Sequence, residues 1–185
     1  MKNPDFVRIS WTQLENDCFI LAEKLQGIKF DKIVAISRGG LVWARVLSDL
    51  LQIPISHMTI ESYKNLRQEK ETMISEAPVH ALDDKIILLI DEIADSGKTL
   101  KRALSYFQNF PIKKIYVLTP YIKSKTKVVP DFYVHKLDSW IIFPYELKET
   151  FIAFSKILKS KKKAAAKMIS LGIERKLVRQ LIKQV

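Results

Sequence analysis

The sequence predicts an α/β fold in which a parallel sheet is flanked by helices on both faces. Three observations carry that prediction. Short apolar runs of strand length alternate with longer segments whose apolar residues recur at helical spacing. Two of the runs, Ile33–Ile36 and Ile86–Ile90, are continuously apolar and read as buried strands. Both end abruptly in polar loops that open helices, and in such sheets ligands sit beyond the carboxyl ends of the strands.

The elements follow in order. Residues 10–27 read as a first helix: Ser10 or Thr12 can cap it, Leu14, Cys18, Leu21 and Leu25 form its apolar stripe, and Gly27 ends it. Residues 32–36 are a strand, and residues 41–51 a helix that stops before Pro54. Residues 55–61 alternate like a strand. Residues 62–82 are polar, charged and without a clear period, and read as a long loop or hairpin. Uninterrupted loops of that length often act as lids. Residues 86–90 are a strand, 97–109 a helix, and 114–119 and 132–137 further strands.

The stretch Ile86–Leu100, IILLIDEIADSGKTL, carries the chemistry. A buried strand ends in Asp91 and Glu92. A third acid, Asp95, precedes Ser96-Gly97-Lys98-Thr99 and a helix. A helix N-terminus offers open N–H groups and a positive dipole end to a phosphate. The carboxylates suit sugar hydroxyls, a proton to be taken, or Mg²⁺. The triplet Gly97-Lys98-Thr99 also ends the P-loop motif of nucleotide hydrolases. That motif needs a glycine five positions before its second glycine, where this chain has Glu92. A carboxylate where the β-phosphate should sit argues against it.

The same loop resembles the PRPP-binding motif of the type I phosphoribosyltransferases: four apolar residues, two acids, two variable residues, an acid, then Thr/Ser-Gly-x-Thr. A second segment, Lys32–Ala44 (KIVAISRGGLVWA), is similar to that family's pyrophosphate loop in composition and order. Its paired glycines let the backbone approach a ligand, and Arg38 adds a fork of donors. The family often carries a non-proline cis peptide here, which would fall at Ser37–Arg38. A third segment, Tyr133–Glu146 (YVHKLDSWIIFPYE), resembles the base-binding end of the xanthine-guanine and hypoxanthine phosphoribosyltransferases.

The resemblance covers roughly residues 30–147 and implies a division into a phosphoribosyltransferase domain, 1–150, and a basic helical extension, 151–185. It implies transfer of phosphoribose from PRPP to guanine, xanthine or hypoxanthine in purine salvage, with Mg²⁺. By the same resemblance, Ser37, Arg38, Gly39 and Gly40 bind pyrophosphate. Asp91 and Glu92 hold the ribose and help place the metal. Asp95 is the general base, and Ser96, Gly97, Lys98 and Thr99 cradle the 5′-phosphate. Lys123 donates to the purine 6-oxo group, Trp140 stacks on the base, and the backbone at Ile141 meets its edge. Ser62-Tyr63 matches the start of a mobile hood, and Arg67 within it would reach the pyrophosphate. A homodimer or homotetramer is also implied.

Composition agrees with a cytoplasmic enzyme. The chain has 185 residues, enough to bury one real core, and is 48% apolar and 28% charged. No apolar run reaches transmembrane length, and the first residues lack a signal-peptide core. Cys18 has no partner for an internal disulfide and reads as buried filler. His57, His80 and His135 lack metal-ligand spacing.

The tail departs from the resemblance. Residues 156–185 hold ten Lys/Arg and one acid, Glu174, a net +9 of the chain's +11. One reading is a helix that packs Ile169, Ile173, Leu177 and Leu181 on the body or a neighbouring subunit. A second is an electrostatic anchor for an anionic membrane or nucleic acid. A third is a helix-turn-helix with Leu171-Gly172-Ile173 at the turn and Val178 and Leu181 on the recognition helix. Met168 stands where that motif usually has a small residue, and no third helix is evident. The alternative function is a PRPP-fold regulator that binds nucleic acid through this tail.

Overall fold

The computed structural model describes residues 5–64, 70–78 and 82–185. The chain divides into two compact units, residues 15–138 and residues 1–14 with 139–185. The elements are β1 (Phe6–Arg8), α1 (Trp11–Lys24), β2 (Lys32–Ser37), α2 (Gly39–Leu51), β3 (Ile55–Lys64), β4 (Lys70–Glu76), β5 (Ile86–Ile90), β6 (Ile93–Ala94), α3 (Lys98–Phe107), β7 (Lys114–Leu118), β8 (Tyr121–Ile122), β9 (His135–Lys136), β10 (Trp140–Ile142), α4 (Leu147–Ile157), α5 (Lys161–Ser170) and α6 (Arg175–Gln184).

The larger unit is built on a five-stranded sheet of order β4-β3-β2-β5-β7. β2 lies parallel to both β3 and β5, and β5 parallel to β7, while β4 alone runs antiparallel. Val34, Ile36, Ile87 and Leu89 pack with Leu100, Ala103 and Phe107 of α3 into a buried core. The i, i+3, i+7 spacing of those α3 residues puts them on one helix face. The strand order reverses direction between β2 and β5, which sets their carboxyl-end loops side by side at the switch point of the sheet.

Of the loop or hairpin read over 62–82, the described residues form the paired ribbon of a hairpin: β3 runs on to Lys64 and pairs antiparallel with β4, with an irregularity between Thr59 and Ile60. Residues 65–69, including Arg67, and residues 79–81 lie outside the described residues. The strand expected over 132–137 shortens to β9, which joins β8 and β6 in a separate three-stranded sheet. This sheet is fastened by buried Asp17 of α1. Its carboxylate accepts from the Tyr121 hydroxyl at 2.7 Å and lies 2.8 Å from His135 Nε2. A buried carboxylate persists only when paired and hydrogen-bonded. Neighbouring Cys18 is fully buried, and burial pushes its thiol up to about 12, so it is filler.

The second unit joins β1 and β10 in parallel register, Phe6 opposite Trp140 and Arg8 opposite Ile142. Helices α4, α5 and α6 share one apolar cluster of Ile142, Phe151, Phe154, Ala164, Met168, Ile173 and Val178. Phe6 meets Phe154 edge-on at 5.0 Å, and an Arg8 Nη1 donates to the Gly172 carbonyl. The third helix that the tail pattern did not reveal is therefore α4. Of the residues expected to pack, Ile173 is buried and Ile169 and Leu181 are half-buried, while Leu177 is exposed. No helix among the described residues is long and apolar enough to cross a membrane.

Candidate active site

The two motif loops line one polar pocket of about 250 Å³. Its walls include Ser37, Arg38 and Gly39 from the β2–α2 loop and Asp91, Glu92, Asp95, Ser96, Gly97, Lys98 and Thr99 from the β5–α3 stretch. Backbone packing explains Gly40: a Cβ there would collide with the Ile90 carbonyl oxygen, and only glycine permits the two loops to lie this close, whereas a Cβ on Gly39 would meet the movable carboxyl end of Glu92. The Ser37–Arg38 peptide is cis, as the resemblance implies. Arg38 is exposed beside it.

Gly97 has φ +80° and stands at the N-cap of α3, where its missing Cβ makes room for the backbone of Val128. Gly97 has no side chain to cap α3, and Ser96 Oγ accepts a long bond of 3.4 Å from the Lys98 N–H. The other open donors and the positive dipole end of the α3 N-terminus suit an anion.

The acids differ in environment. Asp91 accepts from the Glu92 N–H at 2.8 Å, yet burial dominates and raises its carboxyl to about 7. Asp95 is exposed and paired with Lys125 Nζ at 2.8 Å. Lys123 is buried, and its N–H donates to the Ala94 carbonyl at 3.0 Å, which holds the chain after β8 against the Asp95 segment. Burial lowers its ammonium pKa, against the opposing pull of Asp95 and Asp138. Asp138 accepts from the Ser124 N–H at 2.8 Å, and that bond holds its carboxyl below the usual range.

Mg²⁺ fits this donor set in a limited sense. Asp91 and Glu92 are hard oxygen donors, and no cluster of three or more His, Cys, Asp or Glu residues that could hold a metal occurs among the described residues. An ion that keeps several waters and binds chiefly to substrate oxygens needs no more than one or two protein carboxylates.

In the other unit, Trp140 is 60% exposed and borders an apolar groove of about 360 Å³ with Phe6, Thr150, Phe154 and Ile157. Ile141 is buried, and its backbone stands in register with Val7 of β1. Neither Lys125 nor Asp138 stands out in the sequence. Their partners, Asp95 and Ser124, lie 30 and 14 residues away, beyond any local pattern.

A largely parallel sheet thus carries an open helix N-terminus and a carboxylate-lined pocket at its switch point. The chain belongs to the phosphoribosyl transferase domain family, whose profile matches residues 10–150. It is 31% identical over 149 residues to a xanthine-guanine phosphoribosyltransferase of Cereibacter sphaeroides, covering 75% of this chain and 86% of that one. Among solved structures it is similar to a purine phosphoribosyltransferase from Pyrococcus horikoshii, with 36% identity and a TM-score of 0.70 over 76% of this chain and 94% of that chain. It is also similar to a hypothetical protein from Neisseria gonorrhoeae with bound ppGpp, with 27% identity and a TM-score of 0.72 over 79% and 92%.

Proposed function

We propose that this chain transfers the phosphoribosyl group of PRPP to a 6-oxopurine, guanine, xanthine or hypoxanthine, giving the nucleoside 5′-monophosphate and pyrophosphate in purine salvage. One observation carries the reading: the pocket that brings Arg38 and Gly39 together with three carboxylates and the N-terminus of α3. The names of the relatives support a transferase over a regulator that merely senses PRPP.

In this reading Ser96, Gly97, Lys98 and Thr99 seat the 5′-phosphate on the α3 N-terminus. Asp91 and Glu92 hold the ribose 2′- and 3′-hydroxyls, and Asp91, raised to about 7, lends its charge to the oxocarbenium-like ribose as pH rises through that value. The same two residues would hold Mg²⁺, which neutralises pyrophosphate charge when bound. Ser37, Arg38 and the backbone of Gly39 and Gly40 receive the departing pyrophosphate. Asp95 accepts the purine N7 proton as general base, and Lys125 orients its carboxylate. Lys123 donates to the 6-oxo group, Trp140 stacks on the base and the Ile141 backbone meets its edge, as the resemblance implies. Arg67 would bind the pyrophosphate, as the resemblance implies. By sequence, residues 1–150 would form the transferase domain and 151–185 an extension, a division supported by where the family match ends, while in the fold residues 139–150 belong to the same compact unit as the extension. A homodimer or homotetramer is the assembly the resemblance implies, readable by sedimentation.

The test is pyrophosphate release from PRPP and Mg²⁺ with hypoxanthine, guanine, xanthine, adenine and uracil in parallel. Turnover of the 6-oxopurines alone is expected. Asp95→Asn should lower kcat by roughly 10²–10⁴-fold with PRPP binding retained. No turnover with any base, alongside measurable PRPP binding, would overturn the enzyme in favour of a sensor.

A further inference from the structure

The catalytic reading leaves the last thirty residues unused, and these hold most of the chain's net charge. α5 and α6 are each ten residues long and are joined by the four-residue turn Leu171–Glu174. Gly172 turns the chain with φ +81°, and the Ile173 N–H donates back to the Met168 carbonyl at 3.2 Å. Ile173 of the turn and Val178 and Leu181 of α6 then join the apolar cluster that holds Phe151 and Phe154 of α4 and Met168 of α5. Three helices around one core, the last two joined by a tight glycine turn, is the arrangement of a helix-turn-helix.

Its outer surface is the informative part. Arg175, Lys176, Arg179 and Lys183 follow one another at i, i+1, i+4 and i+8, which places them on one face of α6, and all four are exposed. α6 has no acidic residue of its own to offset them. α5 opens with Lys161, Lys162 and Lys163, all exposed. Three cations at a helix N-terminus oppose the dipole, a cost that an arriving phosphate reverses.

We propose that α5 and α6 form a duplex-DNA-binding module, with α6 seated in the major groove through Arg175, Lys176, Arg179 and Lys183 and the α5 lysines on the phosphate backbone. The B-form major groove admits one α-helix, whereas the deep, narrow major groove of A-form RNA does not. An interfacial membrane helix needs an exposed apolar face. Here Val178 and Leu181, at the centre of the apolar stripe of α6, join the three-helix core, Leu177 and Ile182 are exposed only at its margins, and the opposite face is cationic.

Fluorescence anisotropy with the full-length protein tests this, using a labelled mixed-sequence duplex of roughly 30 base pairs, long enough for two half-sites one turn apart. The variants are Arg175→Glu/Arg179→Glu and, with the same change in net charge, Lys29→Glu/Lys113→Glu at exposed positions of the other unit. At about 50 mM salt the wild type is expected to bind. The α6 variant should bind about tenfold or more weaker, with its salt slope reduced by about 2. The Lys29/Lys113 control should stay within about twofold of wild type, and all three proteins should release pyrophosphate at the same rate. Equal losses in both variants would reduce the effect to diffuse charge and overturn the proposal. So would absence of duplex binding, or tighter binding to phosphatidylserine vesicles or to single-stranded RNA than to the duplex.

Discussion

Glycine at 40 is the residue-level condition for the site. The β2–α2 loop can lie against the β5–α3 stretch only because no Cβ stands between Gly40 and the Ile90 carbonyl. Gly40→Ala places a methyl group against backbone, which cannot rotate away. We expect a cost of about 1–3 kcal/mol from overpacking and at least a tenfold loss of PRPP affinity, read by urea unfolding and titration calorimetry. A second residue-scale prediction concerns pH. Asp138 is held below the usual carboxylate range chiefly by the Ser124 N–H. A depressed folded pKa adds stability that is present above the unfolded value and lost as pH falls through the folded one. The turn at residues 123–125 should thus stay closed from neutral pH down to about 4 and loosen only below it. Hydrogen exchange at the Ser124 amide, followed in acid with Asp138→Asn as reference, measures this. Faster exchange already at pH 6 in the wild type would contradict it.

At the scale of elements, the helices divide the labour. α3 carries its apolar residues on one face and leaves its N-terminus to the pocket. α4, α5 and α6 have little to bury singly and share one core, with Met168 fully buried at its centre. The small residue usual at that position of a helix-turn-helix is here replaced by a flexible thioether that fills the space among Phe151, Phe154 and Val178. Met168→Ala should cost about 2–5 kcal/mol, seen as a lower urea midpoint at unchanged slope. A change within about 0.5 kcal/mol, typical of a surface position, would mean that α5 is not packed as described.

For the whole molecule, ligand binding should appear as stability. PRPP with Mg²⁺ at about a hundred times its Kd adds about 2.7 kcal/mol by mass action. For a chain of this size that corresponds to a rise in Tm of roughly 5–10 °C. Removing Mg²⁺ with a chelator should return most of the shift, and calorimetric scans with and without PRPP measure both. The sequence by itself determined the alternation of strands and helices, the two loops at strand ends, the residues with which they line the pocket and the basic tail. Each of these is a local signal: apolar periodicity, a glycine pair, or acids beside a helix start, readable within about fifteen residues. Only the tertiary structure decided the rest. It extended β3 and β4 into a paired ribbon where polar residues hid the period, because ladder hydrogen bonds are indifferent to side-chain polarity. It set Lys125 on Asp95 and Asp138 on Ser124. It supplied α4 as the third helix beneath the tail. These pairings join residues separated along the chain, and such contacts exist only once the backbone has closed the distance between them.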